Sequence, residues 1–435
     1  MIKEQIYTVP IVSPHIPKTC LKVSVPGSKS ITNRALLLAT LAQGESFLKG
    51  VLFSEDAVYF QKCIQALGFP TEIDEEQKTI RITGYGGTIP KEETSVYVGS
   101  AGTAARFLSA CLGLSKGTYH MDSSEQMKKR PMAPLLTCLR ELGCEISFEE
   151  KEGFFPFTLT ASGIHKESVC VNIDNSSQFL SALLISAVLS PKDFTIQVEG
   201  NHGMSYIEMT CNMMEQFGVS VKRQGDKTFV LPADSHYEAR TYDIEPDVSA
   251  ACYFYALCPL LQIPVLVEGI HDNSLQGDLD FVKLLTRLGC TLEDTAEGIL
   301  LTPPASGTFP GIDVDMSSYS DQAITLSAIA PFATSPTTIR GIGHIRLQES
   351  DRISGIVNEL RRVGITCTET PDSITIYPGT PHGALIETYE DHRMAMGFSL
   401  LGLRTHGVQI HDPACCKKTF PDYFETLEAA LAKYL

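Results

Sequence analysis

The sequence predicts an α/β protein of two lobes, each built from three copies of one unit, with helices inside and sheets outside. Three recurring signals carry this reading. A helix ends on an apolar residue followed by Gly and then a strand, at Leu67-Gly68, Leu142-Gly143, Phe217-Gly218, Leu288-Gly289 and Val363-Gly364. Gly there suits the position after a helix, where left-handed backbone closes it. Strands rich in apolar and β-branched residues stop at Gly50, Ser123, Gly200, Gly269, Gly341 and Asp412. Polar loops open apolar helices at 28–34, 100–106, 175–178, 247–251, 320–324 and 391–394. The three signals stay in phase and recur roughly every 70–75 residues, which defines an internal repeat.

A solenoid is the alternative for such a period. The helices at 35–41, 179–189 and 252–261 are apolar on several faces, and helices of that kind are buried rather than half exposed. At 435 residues two domains are expected. The unit boundaries set one lobe at 27–245 and the other at 1–26 plus 246–435, with crossings near 25–27 and 244–246. The N-terminal strand joins the second lobe, because the sixth unit ends soon after Asp412.

Composition removes several classes. No run of 18 apolar residues exists, so no membrane span is expected. The first twenty residues mix Lys3, Glu4, Pro10, Pro14 and Pro17 and lack a signal-peptide core. The 13 cysteines include no C-x-x-C pair, and the adjacent Cys415 and Cys416 suit neither zinc nor an ordinary disulfide. Reduced thiols, a cytoplasmic location and no metal follow. A net charge of −16 makes nucleic acid a poor partner. An anionic ligand must therefore meet a locally cationic pocket.

The cations sit in the loops. Pro26-Gly27-Ser28-Lys29-Ser30-Ile31-Thr32-Asn33-Arg34 places Lys29 and Arg34 at a helix start, which suits phosphate or carboxylate. A P-loop fails, because Ser28 stands where the second Gly of that motif belongs. The small residues of 99–106 let an anion approach backbone N–H groups. Lys128-Lys129-Arg130 reads first as a solvated face, Ser176 and Ser177 as a helix cap, and Asp321 as another cap. Glu349 and Arg352, three apart, read as a helix ion pair, and His392 as a structural hydrogen-bonder. Taken jointly, they put arginines and lysines at equivalent unit ends, aimed at one cleft.

Assembled in order, these residues resemble the 5-enolpyruvylshikimate-3-phosphate synthase family over about 20–430. The matching motifs are 26–34, Ala101-Gly102-Thr103 with Arg106, Arg130-Pro131, Ser176-Ser177-Gln178, Glu349-Ser350-Asp351-Arg352, Asp391-His392-Arg393-Met394-Ala395-Met396 and Lys418-Thr419-Phe420-Pro421-Asp422-Tyr423. The resemblance implies an inside-out α/β barrel of six βαβαββ repeats. It also implies transfer of the enolpyruvyl group of phosphoenolpyruvate to the 5-hydroxyl of shikimate 3-phosphate, by a monomer needing no cofactor. Lys29, Ser30, Arg34, Ser176, Ser177, Gln178, Ser205, Asp321 and Gln348 are then expected at shikimate 3-phosphate. Lys29, Gly102, Arg130, Gln178, Arg352, Arg393 and Lys418 are expected at phosphoenolpyruvate. Lys29, Asp321, Glu349 and Lys418 are expected to be catalytic, with Asp321 the base and Glu349 the proton donor in less cationic or drier surroundings.

Three departures stand out. Ser100 replaces the usual Asn, Gln348 a usual Lys, and the family's phosphate-binding Ser falls near Gly203, with Ser205 close by. Two alternatives differ in kind. The sister transferase acting on UDP-N-acetylglucosamine has Asn at the place of Ser30 and a catalytic loop Cys, whereas 123–130 here holds none. A non-catalytic anion binder would have no use for Lys29, Asp321 and Glu349 together.

Overall fold

The computed structural model describes residues 6–12 and 19–435. Lys3, Glu4, Pro14 and Pro17, on which the reading of the N-terminus partly rests, lie outside them. The chain divides into two compact units: Gly27–Ile244, and the residues up to Pro26 with Glu245–Leu435.

Among the described residues each unit holds three sheets, and one pattern serves all six. Two strands run parallel, and the next pairs antiparallel. In the first unit the parallel pairs are Thr241–Asp243 with Gln43–Lys49, Glu93–Tyr97 with Lys116–Asp122, and Ser168–Asn172 with Phe194–Glu199. Thr79–Tyr85, Phe157–Ser162 and Thr228–Leu231 add to them antiparallel. In the second unit the pairs are Leu21–Val23 with Val265–Val267, Asp313–Asp315 with Thr337–Arg340, and Leu385–Ile386 with Gln409–His411. Gly298–Thr302 and Ile374–Ile376 add antiparallel to the first two, and Ile6–Thr8 to the third.

Parallel pairing needs a crossover, and a helix supplies it. Gly102–Leu114 links Glu93–Tyr97 to Lys116–Asp122 in this way. The first sheet differs. The strand that precedes the helix Lys29–Leu41 belongs to the other unit, so Thr241–Asp243 from the far end takes the empty place beside Gln43–Lys49.

The crossover helices are apolar because they are enclosed. In Lys29–Leu41 every residue from Ile31 on is buried, as is every residue of Gly102–Leu114, Ala323–Ile329 and His392–Gly402. The first helix begins at Lys29, six residues before its apolar stretch, because Ser28 caps it by accepting from the Ile31 N–H. The segment 179–189 ends in a 3₁₀ turn, Ala187–Leu189. The segment 252–261 breaks at Ala256, between Val248–Tyr255 and Leu257–Leu261. Pro259 explains the second break, since it has no N–H to continue the ladder.

The repeated glycines close helices as their positions require. Gly68, Gly143, Gly218, Gly289 and Gly364 all have φ between 83° and 108°. The strand ends turn similarly at Gly50, Gly200, Gly269 and Gly341, while Asp412 adopts φ 47° without being Gly. All 13 cysteines are free thiols. No helix among the described residues is long and apolar enough to cross a membrane.

Candidate active site

The predicted side chains gather at helix starts. In the unit Gly27–Ile244, Lys29 opens its helix and sets Nζ 3.7 Å from Oδ2 of the buried Asp56. Ser30 and Arg34 lie one turn apart on the same face. Arg34 is buried; it donates Nε–H to Thr210 Oγ1 (2.8 Å), Nη1–H to the Ser30 carbonyl (3.0 Å), and Nη2–H to Ser181 Oγ and the Tyr206 carbonyl. Its guanidinium also sits 5.4 Å from the Phe107 ring centre. Every one of these partners is neutral. Burial therefore brings the Arg34 pKa down to about 10; with no carboxylate within 4.0 Å among the described residues, the guanidinium is a buried positive charge suited to an anion.

A second cationic point forms around Gly102. A Cβ there would meet Arg130 Nη1 at 2.7 Å and Arg106 Nη1 at 2.8 Å. Glycine thus lets two guanidinium groups converge on the start of Gly102–Leu114. The Lys128-Lys129-Arg130 run splits accordingly. Lys128 pairs with Glu125 and Glu150, Lys129 is exposed, and Arg130 turns inward. Arg106 was legible as the cation one turn after Gly102, yet sequence reasoning gave it no role.

The serines divide the work at the third helix. Ser176 Oγ accepts from the N–H of Gln178, the first residue of the helix, while Ser177 holds the cap position with no side-chain cap bond. Ser177 Oγ lies where a Cβ on Gly203 would come within 2.5 Å of it. Gly203 also has φ 64°. A serine at 203 would be strained and would collide with Ser177, which accounts for the departure there. Ser205 follows in the first turn of Met204–Gln216, and Gln178 keeps a buried amide oxygen without a partner among the described residues.

In the other unit the charges interlock. Arg352, 1% exposed, opens the helix Arg352–Arg362. It donates Nε–H to Asp391 Oδ2 (2.8 Å), Nη1–H to Asp321 Oδ1 (2.9 Å) and to Gln348 Oε1, and Nη2–H to Glu349 Oε2 (2.9 Å). Arg393 Nη2 is 2.7 Å from Asp321 Oδ2, its Nη1 reaches Tyr253 Oη at 3.4 Å, and Lys418 Nζ is 3.4 Å from Glu349 Oε1. A positive group at a helix start opposes the dipole, so these arginines need the carboxylates. Burial works against the Arg352 charge, but Asp391, Glu349 and Asp321 outweigh it and hold its pKa above the ordinary value.

This arrangement corrects several expectations. Asp321 does not cap; it sits in the 3₁₀ turn Ser320–Gln322 with its carboxylate bridging two arginines. Glu349 precedes its helix, where Asp351 is the cap, so its contact with Arg352 is not a within-helix pair. Its surroundings are no less cationic than those of Asp321, since each carboxylate touches two cations, but they are drier, with the Glu349 side chain 11% exposed against 19% for Asp321. His392 is buried, with Nδ1 3.7 Å from Asp391 Oδ1. Asp391 was visible only as part of a motif. It proves central, taking Arg352 while capping Arg393 through its backbone N–H at 3.0 Å. Near Asp321 lies Asp278, whose Oδ2 accepts from Ser249 Oγ and from Gln322 Nε2 (3.1 Å); burial first, then Asp321, push its pKa up to about 6. Among the described residues no group of three or more His, Cys, Asp or Glu is placed to hold a metal ion.

The fold is that of an enolpyruvyl transferase. The enolpyruvyl transferase NikO from Streptomyces tendae superposes with a TM-score of 0.76 over 98% of this chain and 96% of its own, although only 16% identical. The chain belongs to the EPSP synthase (3-phosphoshikimate 1-carboxyvinyltransferase) family, whose model matches residues 19–427. A 3-phosphoshikimate 1-carboxyvinyltransferase from Nostoc punctiforme is 45% identical over 92% of this chain and 94% of its own length. An EPSP synthase structure from Acinetobacter baumannii superposes with a TM-score of 0.81 at 25% identity, covering 98% of each chain. The chain is thus a transferase of the shikimate pathway, moving the enolpyruvyl group of phosphoenolpyruvate to shikimate 3-phosphate.

Proposed function

We propose that the side chains gathered here bind both substrates and carry the protons of the transfer to the 5-hydroxyl, with phosphate as leaving group. The observation that supports this most is the pair of carboxylates, Asp321 and Glu349, held at 2.9 Å by one buried guanidinium. The hydroxyl must lose a proton while the vinyl carbon gains one, so a base and an acid are both needed. Asp321, kept in place by Arg352 and Arg393, is the base. Glu349 is the donor, and Lys418 beside it can pass it the proton, as arginine cannot.

Ser30, Arg34, Ser176, Ser177, Gln178 and Ser205, with Lys29, Asp321 and Gln348, are assigned to shikimate 3-phosphate. The neutral lining of Arg34 supports its pairing with the carboxylate. Gly102, Arg130, Arg352, Arg393 and Lys418, with Lys29 and Gln178, are assigned to phosphoenolpyruvate, whose planar anions suit bidentate guanidinium contacts. The same reading takes the six sheets and their enclosed helices as six βαβαββ repeats with helices inward, and 27–245 as the shikimate-phosphate lobe. It makes the protein a cytoplasmic monomer with small-molecule partners and no nucleic acid.

Phosphate release from the two substrates, with no release when UDP-N-acetylglucosamine replaces shikimate 3-phosphate, tests the reaction. For the proton carriers, Asp321→Asn and Glu349→Gln should each lower kcat by about 10²–10⁴-fold. Both substrates should still bind within about tenfold. Folded variants turning over within a few-fold of the parent would remove both residues from the mechanism.

A further inference from the structure

The turn leading into Asp391 passes through two successive left-handed residues, Tyr389 and Glu390, each at φ 55°. Neither is Gly, and side-chain-bearing residues hold that conformation only where their surroundings enforce it. The helix Arg352–Arg362 supplies the enforcement. Glu359 lies two turns after Arg352 and is fully buried. Its Oε1 accepts from Tyr389 Oη at 2.7 Å, and its Oε2 from the Glu387 N–H at 3.1 Å and from Arg362 Nε at 2.8 Å. One turn nearer the helix start, the tyrosine ring packs against Gly355, where a Cβ would lie in ordinary contact at 3.4 Å. At the start itself, Arg352 grips Asp391.

One face of one helix, at positions 352, 355 and 359, therefore holds the turn at both ends. The grip does not end at the turn, because Asp391 orients Arg352 and caps the helix that carries Arg393. We propose that Glu359 and Tyr389 are positioning residues: by clamping the left-handed turn 389–390 they hold Asp391, and through it the Arg352 and Arg393 guanidinium groups, in the geometry that receives phosphoenolpyruvate. This rests on the assignment of those arginines to that substrate.

The test compares kinetics and thermal unfolding in four variants. Tyr389→Phe removes only the hydroxyl. It should raise the KM for phosphoenolpyruvate about 3–10-fold, leave kcat within about twofold, and leave the KM for shikimate 3-phosphate unchanged. Glu390→Gly relieves the left-handed strain with the clamp intact, so it should raise Tm. Combined with Tyr389→Phe it should recover Tm but not KM, because a glycine turn is relaxed yet not held. Arg393→Lys must by itself raise the KM for phosphoenolpyruvate. If it does not, the arginine assignment fails and the proposal with it. If it does while Tyr389→Phe keeps the parental KM, or if the double variant recovers KM together with Tm, the clamp serves stability alone and the proposal is overturned.

Discussion

Arg34 and Arg352 are both buried guanidinium groups at helix starts, and their surroundings differ in kind. Arg34 is answered by two hydroxyls, two carbonyls and an aromatic face, and burial lowers its pKa to about 10. Arg352 is answered by three carboxylates, which hold its pKa up in spite of burial. Under the proposed assignment, the first cation takes its counter-charge from shikimate 3-phosphate. The second is already neutralised, so it can fix Asp321 and Glu349 in place before any substrate arrives. On that assignment one site serves affinity and the other orientation.

Neutral replacement of each arginine is the strongest way to break this contrast. Arg352→Met would leave the buried Asp391 and the partly exposed Asp321 and Glu349 without their common cation, and losing one partner of a buried ion pair costs about 3–5 kcal/mol. Arg34→Met removes a desolvated charge and leaves hydroxyls that already bond one another, Thr210 to Ser181 at 2.9 Å. Its cost should stay within about 1 kcal/mol, because the desolvation penalty goes with the charge. Urea unfolding without ligands measures both. Equal losses would show that the two sites do not differ as described.

The sequence carried much of this contrast but not all of it. The periodic glycines and polar helix starts marked the repeats, because closing a helix and opening one each demand particular residue types at fixed places. The same helix starts located Lys29, Arg34, Gly102, Arg352 and Arg393. What chain order could not convey is which charge meets which across long separations. Asp391 reaches back 39 residues to Arg352, and Asp278 reaches forward 44 to Gln322. Gly203 read as a lost phosphate ligand, until its backbone and the nearness of Ser177 gave it a steric reason. Arg346, the cation two residues before Gln348 in the chain, is committed to Asp351 and Glu369.

Asp278 sharpens the contrast from within the second unit, as a carboxylate destabilised in the charged form. Its folded pKa, about 6, lies above the unfolded value of 3.8. Between those values the native state holds the proton more tightly, so stability falls as pH rises through the window. Asp278→Asn keeps an acceptor for Ser249 and Gln322 but cannot titrate. Relative to the parent it should gain about 1–3 kcal/mol between pH 4 and pH 7.5. Denaturant midpoints at the two pH values measure this. A constant difference would mean that Asp278 stays ionised throughout, and that the arginines reach further into the core than their hydrogen bonds show.

The smallest expected effect falls where the balanced site can be tipped toward the unbalanced one. Gln348 touches Arg352 through its amide oxygen, beside three cations and three carboxylates. Gln348→Lys withdraws an acceptor from Arg352 and adds a fourth cation, so the free protein should lose a little stability. The same charge should tighten shikimate 3-phosphate binding by about 0.5–2 kcal/mol, the range for a charge-assisted contact partly out of water. Lys417 is exposed and Arg346 is taken, so neither is placed to mask the gain. Calorimetry on both proteins decides it. Tighter binding together with lower ligand-free stability would show that affinity at this site is limited by the very neutrality that orients Asp321 and Glu349. Unchanged affinity would place the substrate's phosphate beyond the reach of position 348, and its binding would then rest on Ser176, Ser177 and Ser205.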